Sequence, residues 1–105
     1  FQSSAGYWIK IKFPYLIIPI GFSVNSTKNL NDPIYFDVYV SNNNINWTKI
    51  FVVNELVLNG EFYFDSNKNF YLYITIVITK INVNSYSTYS DYQSFIIKNL
   101  KIIIK

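Results

Sequence analysis

An all-β antiparallel sandwich of about eight short strands is the fold class this 105-residue sequence predicts. Three observations carry that expectation. Apolar side chains recur at every second residue in several stretches, the period of a half-buried strand, and nothing reads as an amphipathic helix of useful length. Clusters of Asn, Ser, Asp, Gly and Pro interrupt these stretches at the short intervals typical of sandwiches. Half of the residues are hydrophobic and a fifth aromatic, enough to fill one core and too apolar for a disordered chain. The length suits a single domain over residues 1–105.

The first strand alternates Ile9, Ile11 and Phe13 inward with Lys10 and Lys12 outward, and Pro14 and Tyr15 are expected to turn the chain. Ile17 to Val24 is a continuous apolar run, as in a strand covered on both sides. Asn25 to Pro33 is a polar loop. Phe36, Val38 and Val40 then alternate with Tyr35, Asp37 and Tyr39. Ser41 to Asn44 supplies a tight turn, and Asn tolerates the left-handed backbone that short hairpins require. Trp47 to Val53 is the second strand of this hairpin, with Trp47 expected to be largely buried against the facing strands. A short strand around Leu56 to Leu58 leads to Asn59-Gly60, read as a turn. Phe62 and Phe64 alternate with Glu61, Tyr63 and Asp65, and Ser66 to Asn69 turns again. Phe70 to Ile81 is the longest strand, with Leu72, Ile74, Ile76 and Ile78 on one face and Tyr71, Tyr73, Thr75 and Thr79 on the other. A loop from Asn82 to Gln93 precedes a last strand in which Leu100, Ile102 and Ile104 are expected to face the core.

Four segments of this pattern carry a resemblance to a known family. Ser41-Asn42-Asn43-Asn44-Ile45-Asn46-Trp47, following a strand, resembles the Ser-Asn-Asp-Gly-x-x-Trp signature of the discoidin-like domain, the coagulation-factor C-type domain of the galactose-binding-like superfamily. Asn43 and Asn44 stand where that family prefers Asp and Gly. Trp8-Ile9-Lys10-Ile11-Lys12-Phe13 resembles its Trp-Ile-x-Ile-x-Phe strand, and Tyr71 to Ile76 and Asn99 to Ile104 resemble its penultimate and closing strands. The likeness runs from about Gly6 onward, in order and spacing. It implies a jelly-roll β-sandwich. Family members carry further strands before the Trp-Ile strand, so the chain reads as a piece of something longer, with an open apolar edge expected near its start.

Catalysis finds little support in the residue inventory. The sequence has no His, no Cys and no Arg, which removes the common general base, the thiol nucleophile and the usual anion clamp. Of the six carboxylates, Asp32, Asp37, Glu55, Glu61, Asp65 and Asp91, only Glu61 and Asp65 share an outward strand face, and surface solubility explains them better than a glycosidase-like pair. Neither a metal site nor a cofactor is expected. The nine cationic residues are all Lys and are scattered singly, so no nucleic-acid partner is expected, and no apolar run is long enough for a membrane span. Ile, Asn, Lys, Tyr and Phe dominate, residues with A/T-rich codons, which points to an A/T-rich genome.

What remains is an interaction module. Tyr86, Tyr89 and Tyr92, with Asn84 and Asp91 and the neighbouring Asn82 and Gln93, form a tyrosine-rich loop suited to contact with a partner. The expected role is a non-catalytic module of an extracellular or virion-surface assembly, contacting other protein subunits or a receptor. The alternative, which the resemblance implies, is a carbohydrate-binding module with a cell-surface glycan as ligand.

Overall fold

A computed structural model describes residues 8–25, 35–53, 59–64, 69–80, 94 and 96–105. Seven strands occur among them: β1 (Trp8–Ile17), β2 (Pro19–Asn25), β3 (Tyr35–Ser41), β4 (Thr48–Val53), β5 (Asn59–Tyr63), β6 (Tyr71–Lys80) and β7 (Leu100–Ile104). They form two sheets, one ordered β1-β6-β3-β4 and the other β5-β2-β7, and every pairing is antiparallel. The all-β class read from the sequence is the class of the fold.

The core lies between the sheets because the period-two pattern places one apolar row of each strand there. Phe36, Val38 and Val40 of β3, Ile74, Ile76 and Ile78 of β6 and Val53 of β4 are buried against Phe22 and Val24 of β2. Phe22 is the hub. Its ring stacks on Phe62 within its own sheet at 5.0 Å and meets Phe36 of the opposite sheet at 5.7 Å. Phe64 joins Phe22 to Phe51, with centroids 6.1 and 5.3 Å away. Ile96, in a short helical stretch comprising residues 94 and 96–99, is also buried in this cluster.

Several local expectations are corrected. Pro14 and Tyr15 do not turn the chain: β1 continues through them as a bulge, passing from Lys12 to Ile17 while its partner moves only from Tyr73 to Tyr71. Pro14, with no amide hydrogen to give a ladder, sits in the extruded part together with exposed Tyr15 and Leu16. The apolar run from Ile17 to Val24 is not one strand. It breaks at Ile18, where the chain leaves the four-stranded sheet and enters the other one at Pro19. The Ile18 carbonyl accepts from the Lys105 amide at 3.0 Å, and the Ile20 carbonyl from the Phe64 amide at 2.8 Å.

Asn59-Gly60 is not a turn but the start of β5, in register with Asn25 and Val24, so the β2 ladder overrides the local turn propensity. Gly60 keeps a φ of 149° that side chains rarely adopt. Ile104 is 43% exposed at the end of β7 rather than inward, while Leu100 and Ile102 pack on the core as expected. Gly21 is required by space. A Cβ there would stand 2.2 Å from the Phe62 carbonyl oxygen of the adjacent strand.

Candidate binding face

The β3–β4 turn is built by its own side chains. The Ser41 hydroxyl accepts from the Asn43 and Asn44 amides at 3.3 and 3.0 Å and donates to Asn43 Oδ1 at 3.2 Å. Asn43 Oδ1 also accepts from the amides of Ile45 and Asn46, at 2.9 and 2.8 Å. These are the local bonds by which Ser and Asn replace a backbone ladder. Asn44 takes a left-handed φ of 60°, as the turn requires. Asn42 Nδ2 donates to the Phe70 carbonyl at 3.1 Å, tying the turn to the approach of β6.

Trp47 is only half-buried, which corrects the expectation of a core tryptophan. It lies just before β4 and meets Tyr73 edge-on at 6.2 Å. The room between the sheets is filled by the Phe22, Phe36, Phe51 and Phe64 rings instead.

Tyr73 belongs to the outer face of the four-stranded sheet, and cross-strand register defines that face. Directly paired residues of antiparallel strands point to the same side. One row therefore reads Trp8, Val77, Asp37, Val52; the next reads Lys10, Thr75, Tyr39, Lys49; the third reads Lys12, Tyr73, Ser41. Lysines that are scattered along the chain are thus gathered on one surface, each beside a ring. Lys10 Nζ lies 5.7 Å from the Trp8 ring centre, Lys12 Nζ 5.9 Å from that of Tyr73, and Lys49 Nζ 5.7 Å from that of Tyr39. An ammonium over a ring face is attracted by the ring quadrupole.

The electrostatics of the three pairs differ. Lys10 also donates to Asn44 Oδ1 at 2.9 Å, so the turn is anchored to the face. Lys49 pairs with Asp37 at 3.4 Å. The Asp37 charge, its hydrogen bond and then Tyr39 raise the Lys49 ammonium above the ordinary lysine value, against a small opposing effect of burial. Lys10 and Lys12 have no carboxylate partner among the described residues, so Lys10, Lys12 and Lys49 share the face with one described carboxylate, Asp37.

Beneath these groups Thr75 is fully buried, and its hydroxyl has no hydrogen-bond partner among the described residues. Of the six carboxylates, Asp37 and Glu61 are described. They stand on different sheets, and Glu61 accepts from the Tyr63 hydroxyl, a bond that raises the tyrosine above its ordinary value. Among the described residues no three His, Cys, Asp or Glu side chains converge as metal ligands, and no helix is long and apolar enough to cross a membrane.

No family model matches this chain, and no curated protein or solved structure matches it.

The tyrosine-rich loop read from the sequence, with Tyr86, Tyr89, Tyr92, Asn84 and Asp91, lies outside the described residues. The outer face was missed at the level of sequence. Its signal was present in part, since Trp8, Lys10 and Lys12 alternate with Ile9 and Ile11, and Tyr39 alternates with Val38 and Val40. What joins them is register between residues far apart in the chain, Lys10 with Thr75 and Thr75 with Tyr39.

Proposed function

We propose that this chain is a non-catalytic interaction module of a larger extracellular or particle-surface assembly, and that the outer face of the four-stranded sheet is its contact surface. The observation that carries this reading is the set of three ring–lysine pairs in adjacent rows of one face. Such a face offers aromatic rings with a flat apolar body and a polar tip, the residue type enriched where surfaces make contacts. The finer architecture we propose is a discoidin-like jelly roll. It is supported by two antiparallel sheets packed face to face and by Asn43 and Asn44, which stand where the family signature has Asp and Gly and here accept the turn amides and take the left-handed backbone. The A/T-rich residue usage favours a viral or phage structural component, contacting a neighbouring subunit or a receptor.

A second reading, a carbohydrate-binding module of a secreted lectin or glycosidase, draws on the same half-buried rings, Trp8, Tyr39 and Tyr73, because sugar faces stack on aromatic side chains. Hydroxyl-radical footprinting of the chain alone and within its native assembly tests the contact surface. Protection of Trp8, Tyr39 and Tyr73 on assembly or receptor binding is the expected result. Protection confined to other surfaces rejects the outer face.

A further inference from the structure

We infer that the free edge of β7 pairs with one extended acidic strand of a protein partner, which joins the three-stranded sheet through backbone hydrogen bonds and sets carboxylates opposite Lys101 and Lys105. This is a second surface, on the other sheet from the face proposed above, and it does not depend on that face.

Regularity singles out this edge. Four strands end a sheet, β1 and β4 in one, β5 and β7 in the other. β1 carries Pro14 in a bulge, β4 holds Ile50 as an extra residue between Lys49 and Phe51, and β5 contains Gly60 at a φ of 149°. Bulges and proline spoil an edge for pairing, and glycine weakens a strand. β7 has none of these. Leu100 to Ile104 pair residue after residue with β2, and the irregularity in that ladder lies in β2.

Backbone direction shows what is open. The Lys105 amide donates to the Ile18 carbonyl at 3.0 Å, so Lys105 turns its polar groups toward the β2 side. Successive residues of a strand turn theirs to opposite edges, so Leu100, Ile102 and Ile104 direct N–H and C=O away from β2. Among the described residues those groups have no backbone partner. An added strand satisfies them, which is how pairing at a sheet edge gains affinity.

Charge selects the partner. Lys101 and Lys105 are exposed and alternate with the residues that face the core, on the same side as Ile103. Lys98 to Lys105 holds three lysines and no carboxylate. Glu61, the described carboxylate of this sheet, lies beyond β2 and accepts from the Tyr63 hydroxyl. A second copy of this edge would set three lysines against three, and like charges in facing positions destabilise a sheet. Lysines ordinarily keep strands away from an edge. The strand that gains from these two carries carboxylates at the same spacing, with apolar residues between them.

The test follows amide exchange in the isotopically labelled chain during titration with the blocked peptide Thr-Glu-Val-Ile-Val-Glu-Thr. Slower exchange of the Leu100, Ile102 and Ile104 amides is expected, while those of Lys101 and Ile103, already directed at β2, stay unchanged. Two control peptides, one with Lys for both Glu and one with Pro for both Val, should bind at least about tenfold more weakly, through like charge or missing donors. Lys101→Gln/Lys105→Gln should bind the acidic peptide roughly threefold to tenfold more weakly and melt as the parent does, as expected for two exposed ion pairs. Lys101→Arg/Lys105→Arg should retain affinity. Absence of protection at millimolar peptide overturns the inference. So does protection confined to other strands, equal binding of either control peptide, or undiminished binding by the glutamine variant. Protection of the same amides that rises with protein concentration in the absence of peptide gives the edge to a second copy and overturns it as well.

Discussion

The two faces of the four-stranded sheet share one backbone and carry opposite chemistries. Toward the core stand Phe36, Val38, Val40, Ile74, Ile76 and Ile78, all buried; on the other side Lys10, Lys12 and Lys49 accompany half-buried rings. The inner face is covered by a second sheet. On the outer face long lysine side chains lie over the aromatic surface and shield part of it from water. The same alternation of residues thus supplies stability on one side and, on the other, the face proposed for recognition.

That contrast is broken most severely from the inside. Phe36→Ala removes a fully buried ring that touches Phe22 across the core, and a loss of ~3–5 kcal/mol is expected in denaturant titration. Trp47→Ala, the same truncation applied to a half-buried ring on the outer side, should cost roughly half as much, since less area returns to water. Equal losses at the two positions would erase the distinction between the faces. Gly21→Ala follows. Its new methyl has no room against the Phe62 carbonyl, so β5 must move off β2, and a loss of about 1–3 kcal/mol with faster amide exchange in β5 is expected.

Asn43→Ala leaves the Ile45 and Asn46 amides without their acceptor in an exposed turn, and about 1 kcal/mol should be lost in the same titration. Thr75→Val acts with the opposite sign. Removing a buried hydroxyl that has no partner among the described residues should raise stability by about 1 kcal/mol, and a drop instead would mean that the hydroxyl is satisfied in the folded protein.

The smallest effect concerns the Lys49–Asp37 pair. Its lysine is raised above the ordinary value, so any stabilisation is fully present below that value and disappears as pH rises through the higher folded one. Lys49→Gln should therefore change the melting temperature only slightly at neutral pH, as exposed ion pairs do, and not at all at a pH above the lysine range. A difference that grew with pH would contradict the pairing.

The alternation that builds both faces was legible in the sequence wherever it ran without interruption. In β3 the inward Phe36, Val38 and Val40, the following turn and the left-handed Asn all follow from local residue chemistry. Departures occur where a distant partner decides. Asn59-Gly60 has turn propensity, yet β2 recruits it into a ladder. Pro14 looks like a chain reversal, yet β6 holds Trp8 to Lys12 on one side of it and Ile17 on the other. Trp47 is large and apolar, but its size alone does not say which side of a sheet receives it. The outer face is legible only once register brings Lys10 opposite Thr75 and Thr75 opposite Tyr39.

The crossing at Ile18 has a consequence for how the chain is made. β1 and β2 are consecutive but join different sheets, and each pairs with a strand near the other end: Trp8 with Val77, Val24 with Leu100. During synthesis at about 5–20 residues per second, the first two strands therefore leave the ribosome seconds before β6 and β7 exist. Until then β1 lacks its β6 partner and β2 can pair only with β5, and such non-local pairing makes folding slow. Completion of both sheets is thus postponed until β7 has been translated, and a nascent chain halted before β7 is the form most exposed to chaperone capture.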